Sequence, residues 1–262
     1  IHLEYYIYND DVIGNQIKDI LIEKALAGVA VRFIYDDFGS RKIRKSFVKE
    51  LRDAGVEAYP FNKLIIARLA NRLNYRNHRK IVIIDGVTSF VGGINVCDKY
   101  INTPNSDRLY WHDTHLMIEG LSTFLLQQIF LSDWNFASGQ HLEINEHFFP
   151  ILEPGVDDYN HAVQIVASGP DSDLPNILLA IIQSIYTAKE EILLTTPYYI
   201  PDVNLQQALV LAAMSGKKVK LLVPARGDSF FVSMASKAFY DELLIAGVEI
   251  YEYTKGFVHA KT

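Results

Sequence analysis

The chain has 262 residues, 49% of them hydrophobic, with a net charge of −6 and a single cysteine, Cys97. That length can bury a substantial core, in one large domain or two moderate ones. The acidic balance excludes a globally basic nucleic-acid binder, the lone cysteine excludes an intrachain disulfide, and no apolar run reaches the roughly 18–20 residues of a membrane span. In chain order, residues 12–28 carry Ile13, Ile17, Ile20 and Leu21 at helical spacing, with Asp11 as N-cap. Residues 31–35 form a short apolar strand. Residues 41–54 predict a helix ended by Gly55, and 56–59 the next strand. Between residues 58 and 84 lie Lys63, Arg68, Arg72, Arg76, Arg79 and Lys80 without one acidic residue. Arg68, Arg72 and Arg76 recur every four residues beside an Ile65, Leu69, Leu73 stripe, the pattern of a basic amphipathic helix suited to an anionic membrane surface. Residues 78–84 read as a strand closed by the Asp85-Gly86 turn, and 121–137 as a helix.

The segment 139–160 lacks periodicity and holds Pro150, Pro154 and Gly155, so it reads as a linker. Beyond it, helices are predicted at 175–188, 205–215 and 230–246, with strands at 192–195, 219–223 and 248–253. The second half repeats the first. Tyr5-Tyr6-Ile7 returns as Tyr198-Tyr199-Ile200, Val31-Arg32-Phe33-Ile34 as Val219-Lys220-Leu221-Leu222, and the Ala-Gly-Val-Glu of 54–57 at 246–249, at offsets of 193, 188 and 192 residues. A long period with two copies argues for two fused half-domains rather than a solenoid. Alternating strands and helices imply a layered α/β fold.

The repeat also carries chemistry. His78-Arg79-Lys80 runs on to Asp85 as HxKxxxxD, and His259-Ala260-Lys261 starts a second copy that stops at Thr262. Side chains two apart on a strand share a face, so each copy offers an imidazole beside an ammonium. One imidazole can attack a phosphodiester, the other can protonate the leaving alkoxide, and the two lysines can hold phosphate oxygens. Histidine suits both jobs because its unperturbed pKa of about 6.5 lets small shifts select base or acid. No HExxH, paired cysteines or clustered carboxylates suggest a metal, so neither a metal site nor a cofactor is expected.

Gly92-Gly93-Ile94-Asn95 follows the first copy and completes HxKxxxxDxxxxxxGGxN. This pattern resembles the phospholipase D superfamily. Tyr75–Lys80, Val91–Val96, Trp111–Gly120 and Pro197–Asp202 resemble, within it, the bacterial cardiolipin synthases. The resemblance implies an α/β fold of two similar phospholipase D-like units, with mixed sheets, meeting at a shared active-site cleft. The first unit is expected at 1–138, the linker at 139–160 and the second unit at 161–262. It implies transphosphatidylation of two phosphatidylglycerol molecules through a phosphohistidine, with hydrolysis of another phospholipid or nucleic-acid diester as the alternative. It implies His78 as nucleophile, His259 as acid and base, Lys80 and Lys261 on phosphate, Asp85 as a supporting turn residue and Asn95 as an amide donor to phosphate. His115, which alternates with Asp113 and Met117, is of interest by the same resemblance. The expected partners are phosphatidylglycerol and an anionic membrane surface, with no nucleic acid. The expected location is the bacterial cell membrane, through apolar segments upstream of a fragment cut inside its second motif.

Overall fold

The computed structural model describes residues 1–63, 76–104, 109–151, 161–169 and 172–262. The predicted basic helix with Arg68 and Arg72 falls outside them. The chain folds into two compact units, one of residues 1–100 and 115–170, the other of residues 101–114 and 171–262.

The strands of the first unit are β1 (His2–Tyr5), β2 (Arg32–Asp36), β3 (Glu57–Phe61), β4 (Lys80–Ile84), β5 (Thr88–Gly92) and β7 (His115–Glu119). They make a six-stranded mixed sheet in the order β3-β2-β1-β4-β5-β7. β1, β2 and β3 run parallel, as crossover helices require. β4, β5 and β7 add antiparallel. β2 is apolar on both faces, and its residues divide between two cores. Phe33 and Tyr35 join the cluster under α1 (Val12–Leu26) and α2 (Lys45–Asp53), while Ile34 joins Ile81, Ile83, Phe130 and Trp134 under α3 (Ser122–Ser138). On α3 the spacing of Leu126, Phe130 and Trp134 presents one apolar stripe to the sheet, and Gly139 ends the helix at φ 73°. Asp11 caps α1 as expected, accepting from the Gly14 N–H. Pro60 sits in β3, where an edge strand tolerates the missing N–H.

The strands β8 (Glu191–Thr195), β9 (Lys218–Pro224) and β10 (Glu249–Tyr253) form the parallel sheet of the second unit, in the order β10-β9-β8. Its helices are α4 (Asn176–Thr187), α5 (Val203–Met214), α6 (Phe230–Lys237) and α7 (Tyr240–Ala246), and its core joins Ile185, Leu209, Leu221 and Leu243. β8, β9 and β10 reproduce the order and direction of β1, β2 and β3, so the repeat read in the sequence is a repeat of structure. A further parallel pair, β6 (Trp111–His112) with β11 (Phe257–Val258), belongs to this unit.

Three expectations shift. The helix expected from residue 41 begins at Lys45. The stretch before it is tied down instead, with Asp36 accepting from the Phe38 and Gly39 N–H groups and Ser40 bonding to Tyr6 and Tyr8. The single helix expected over 230–246 breaks at residues 238–239, where the Phe239 carbonyl accepts from Gln206 of α5 at 3.1 Å. Finally, His78 stands just before its strand, which begins at Lys80.

Candidate active site

In the first unit, β4 enters the sheet beside β1, with Lys80 opposite Tyr5. Lys80 is buried while His78 is exposed at the strand entrance. The Lys80 ammonium lies 3.1 Å from His78 Nδ1 and donates to the His78 carbonyl at 2.6 Å. The Tyr6 ring packs on the imidazole at 4.5 Å between centroids, and Lys80 Nζ sits 5.3 Å from the same ring. Imidazole, ammonium and aromatic face thus form one local group, although His78 lies two residues ahead of Lys80 and outside the strand.

Asp85 is elsewhere. It lies five residues beyond Lys80 along the strand, about 17 Å at the usual rise. It is exposed, with φ 53°, and Gly86 follows at φ 72°. Two consecutive left-handed residues, with the Val87 N–H closing on the Ile84 carbonyl at 3.2 Å, make the β4–β5 hairpin turn. A side chain at position 86 would also meet the Phe148 carbonyl at 2.6 Å, so glycine is required there on two counts. Asn95, at the end of the Gly-Gly-Ile-Asn loop, is buried. Its side-chain oxygen accepts from the Ile7 N–H at 3.1 Å, and its amide nitrogen is 3.5 Å from the Tyr100 hydroxyl.

In the second unit, His259 follows directly on β11, and the segment it opens meets β8 at Thr262. Thr195 and Thr262 exchange backbone hydrogen bonds of 2.7 and 3.1 Å. Glu4 and Ile81 are paired across β1 and β4 in the corresponding register of the first unit. His259 is buried and its Nδ1 is 2.6 Å from Asp113 Oδ2. Trp111 packs edge-on against the ring at 5.3 Å and Tyr198 at 6.4 Å. Lys261 folds back, donating to the His259 carbonyl with Nζ 3.0 Å from both ring nitrogens.

The electrostatics follow from this packing. Burial favours a protonated Asp113. The hydrogen bond from His259, the Thr114 N–H and the nearby charges of His259 and Lys261 outweigh it and hold the carboxyl below its ordinary range. Lys261 is exposed as a residue, but its ammonium tip lies over the imidazole and loses hydration. Its pKa falls to about 8, with the charges of Asp113 and Asp228 opposing the drop. An ionised Asp113 accepts from His259 Nδ1 and so favours the tautomer protonated there.

Asp113, Tyr6 and Tyr198 are parts of these groups that the sequence reading missed. Alternation along 113–117 places Asp113 on one strand with His115. The chain instead breaks between β6 and β7, so His115 pairs opposite Gly92 in the first unit while Asp113 goes to the second histidine. The tyrosines come from different places in the repeated Tyr-Tyr-Ile: Tyr6 is the second of its copy and Tyr198 the first, while Tyr199, the match of Tyr6, bonds Gln206.

The family described as "Cardiolipin synthase, PLD-like domain" matches residues 1–134 and 181–262. Cardiolipin synthase of Alkalihalophilus pseudofirmus is 47% identical over the whole of this chain, which covers 51% of that protein. The major cardiolipin synthase ClsA of Bacillus subtilis is 46% identical, again over the whole chain and 54% of its own length. The chain thus spans about half the length of the curated relatives it matches. Among solved structures, phosphatidylserine synthase of Haemophilus influenzae shares the fold, with a TM-score of 0.60 at 12% identity, over 99% of this chain and 69% of that one.

Proposed function

The chain belongs to the cardiolipin synthase family with a phospholipase D-like domain, and from that premise we propose that its two His-x-Lys pairs catalyse transphosphatidylation between two phosphatidylglycerol molecules. The observation that carries this reading is the pairing of each imidazole with an ammonium at about 3 Å, the second imidazole being held by a carboxylate. His78 attacks the phosphorus of one phosphatidylglycerol, and the bond from phosphorus to the glycerol oxygen breaks. The His259 imidazolium gives its Nε2 proton to the leaving glycerol, which leaves a phosphatidyl group on His78. Neutral His259 then takes the proton from a hydroxyl of the second phosphatidylglycerol. That oxygen attacks phosphorus, His78 leaves, and cardiolipin forms.

Lys80 and Lys261 hold the non-bridging oxygens and stabilise charge in the transition state, with the Asn95 amide as a further donor. Binding of phosphate draws Lys80 away from His78 Nδ1, freeing the imidazole to react. Asp85 supports the strand by closing its turn. The roles require both histidines at one phosphorus, in a cleft open to lipid and shielded from water. The substrate places the reaction at the bacterial cell membrane. Among the described residues, no helix is long and apolar enough to cross a membrane.

Phosphatidylglycerol labelled separately in its diacyl and headgroup portions, given to the full-length enzyme, tests the reading. Cardiolipin and free glycerol are expected. Phosphatidic acid instead would make the enzyme a hydrolase. Acid quenching should trap the diacyl label on the wild type and none on His78→Ala, with turnover reduced by about 10⁶-fold, as for loss of an essential catalytic group. A covalent diacyl label persisting in His78→Ala would overturn the assignment of the nucleophile.

A further inference from the structure

Behind the first His-x-Lys pair lies a buried polar cluster that the phosphoryl chemistry does not itself touch. Asn77, immediately before His78, is at its centre. Its side-chain amide donates to Glu4 Oε1 on β1 and lies 3.4 Å from Asp133 Oδ2 on α3. Its side-chain oxygen accepts from the backbone N–H of Arg79 at 3.0 Å. Its own backbone N–H donates to Asp36 Oδ2 at 3.2 Å. The Arg79 guanidinium donates to Asp133, and Arg76 lies 3.8 Å from Asp36. Asn77 is therefore bound at both ends of its side chain and through its backbone, and these bonds fix the chain on either side of His78.

Glu4 is fully buried, and Asn77 and Asp133 are buried beside it. Two carboxylates facing one guanidinium in such a place cannot both ionise cheaply. Burial, then the charge of Asp133, pushes the Glu4 carboxyl well above its ordinary range, against the Asn77 hydrogen bond and the charge of Arg79. Asn77 bridges the two, reaching Glu4 Oε1 and Asp133 Oδ2 with the same side-chain amide.

The second unit lacks this device. By strand register the counterpart of Glu4 is Thr195, and by the offset of 181 residues between the histidines the counterpart of Asn77 is Val258. The repeat kept the His-x-Lys spacing but not the polar support. The first histidine has its chain held from behind, while the second has its ring held by Asp113.

We propose that Glu4 is a positioning residue of the first half-site: from β1 it holds the Asn77 side chain, which sets the backbone that presents His78 and Lys80. The inference rests on the transphosphatidylation reading above. Glu4→Gln keeps an acceptor for Asn77, whereas Glu4→Leu removes it. In the full-length enzyme, Glu4→Gln should form the covalent phosphatidyl-enzyme within about threefold of the wild-type rate, and Glu4→Leu about 100-fold slower with KM little changed, the scale of a misplaced catalytic group. Circular dichroism and melting show whether Glu4→Leu folds. If it does not, Asn77→Ala, which leaves Glu4 and Asp133 in place, carries the test and should show the same loss in kcat. The inference is overturned if Glu4→Gln is as slow as Glu4→Leu, or if Asn77→Ala turns over at the wild-type rate. Absence of any covalent species in the wild type would count against His78 as nucleophile. The kcat contrast among the variants would still decide the role of Glu4.

Discussion

Asp113 and His259 are 146 residues apart in sequence and 2.6 Å apart in space. The carboxylate selects one tautomer and stabilises the imidazolium that forms when His259 takes a proton. Asp113→Asn should therefore lower kcat on phosphatidylglycerol by about 10³- to 10⁴-fold with KM little changed, as for the corresponding change in a catalytic triad. A loss under tenfold in steady-state kinetics would mean that another group orients His259. Lys261 brings its own pH dependence. Its pKa is lowered to about 8, first by loss of hydration. In the proposed reaction phosphate is held by the charged form, which is present below that value and lost above it, so turnover should decline as pH rises through about 8. Lys261→Arg keeps its charge at every accessible pH. Its pH–rate profile should lose that alkaline limb even if kcat falls, and an unchanged limb would assign the titration to another group. The four His and Lys positions were legible because a period of two is local. Asp113 was not, because the contact that gives it a role is made only when β6 pairs with β11.

At the scale of elements, β2, β3, β4, β8, β9 and β10 were legible from apolar runs between Gly and charged turns, whereas β5, β6 and β11 were not. The helix ends and breaks were not, since they depend on what the neighbouring chain offers to the backbone. Phe239 is as good a helix residue as its neighbours, yet its carbonyl is taken by Gln206. The packing of β1 on α3 makes a separate prediction about stability. His2 stacks on Phe130 with ring centroids 4.4 Å apart, and its Nδ1 meets Gln127 at 3.0 Å. Burial lowers its pKa to about 3, with neighbouring positive charges adding to the effect. Between the unfolded value near 6.5 and about 3, the unfolded chain binds a proton that the folded chain refuses. Stability from this site is thus full above about 6.5 and falls with decreasing pH, by up to about 1.4 kcal/mol per unit. Denaturant unfolding across this range should show the slope, and His2→Phe should flatten it. An equal slope in both proteins would place the acid sensitivity elsewhere.

For the whole molecule, the proposed reaction draws the charge needed at a phosphodiester from the chain's own Lys80, Lys261 and a protonated imidazole. Turnover in neutral detergent micelles should therefore survive thorough chelation, although divalent ions could still act on anionic lipid surfaces. Loss of activity with EDTA, restored by one transition metal, would refute this account. The layered α/β architecture and the duplication were both determined by the sequence itself. Each rests on local periodicity or on a spacing that recurs within the chain. Tertiary structure alone decided that residues 101–114 leave the first unit's stretch of sequence and pack with the second, delivering Asp113 to His259. It also decided that Arg76, read as one face of a basic helix, is instead turned inward beside Asp36, and that Glu4 and Asp133 meet Asn77 behind His78. The physical reason is common to all three. A buried charge or polar group must find a partner. That partner is chosen by the folding of distant segments onto one another, which no spacing along the chain records.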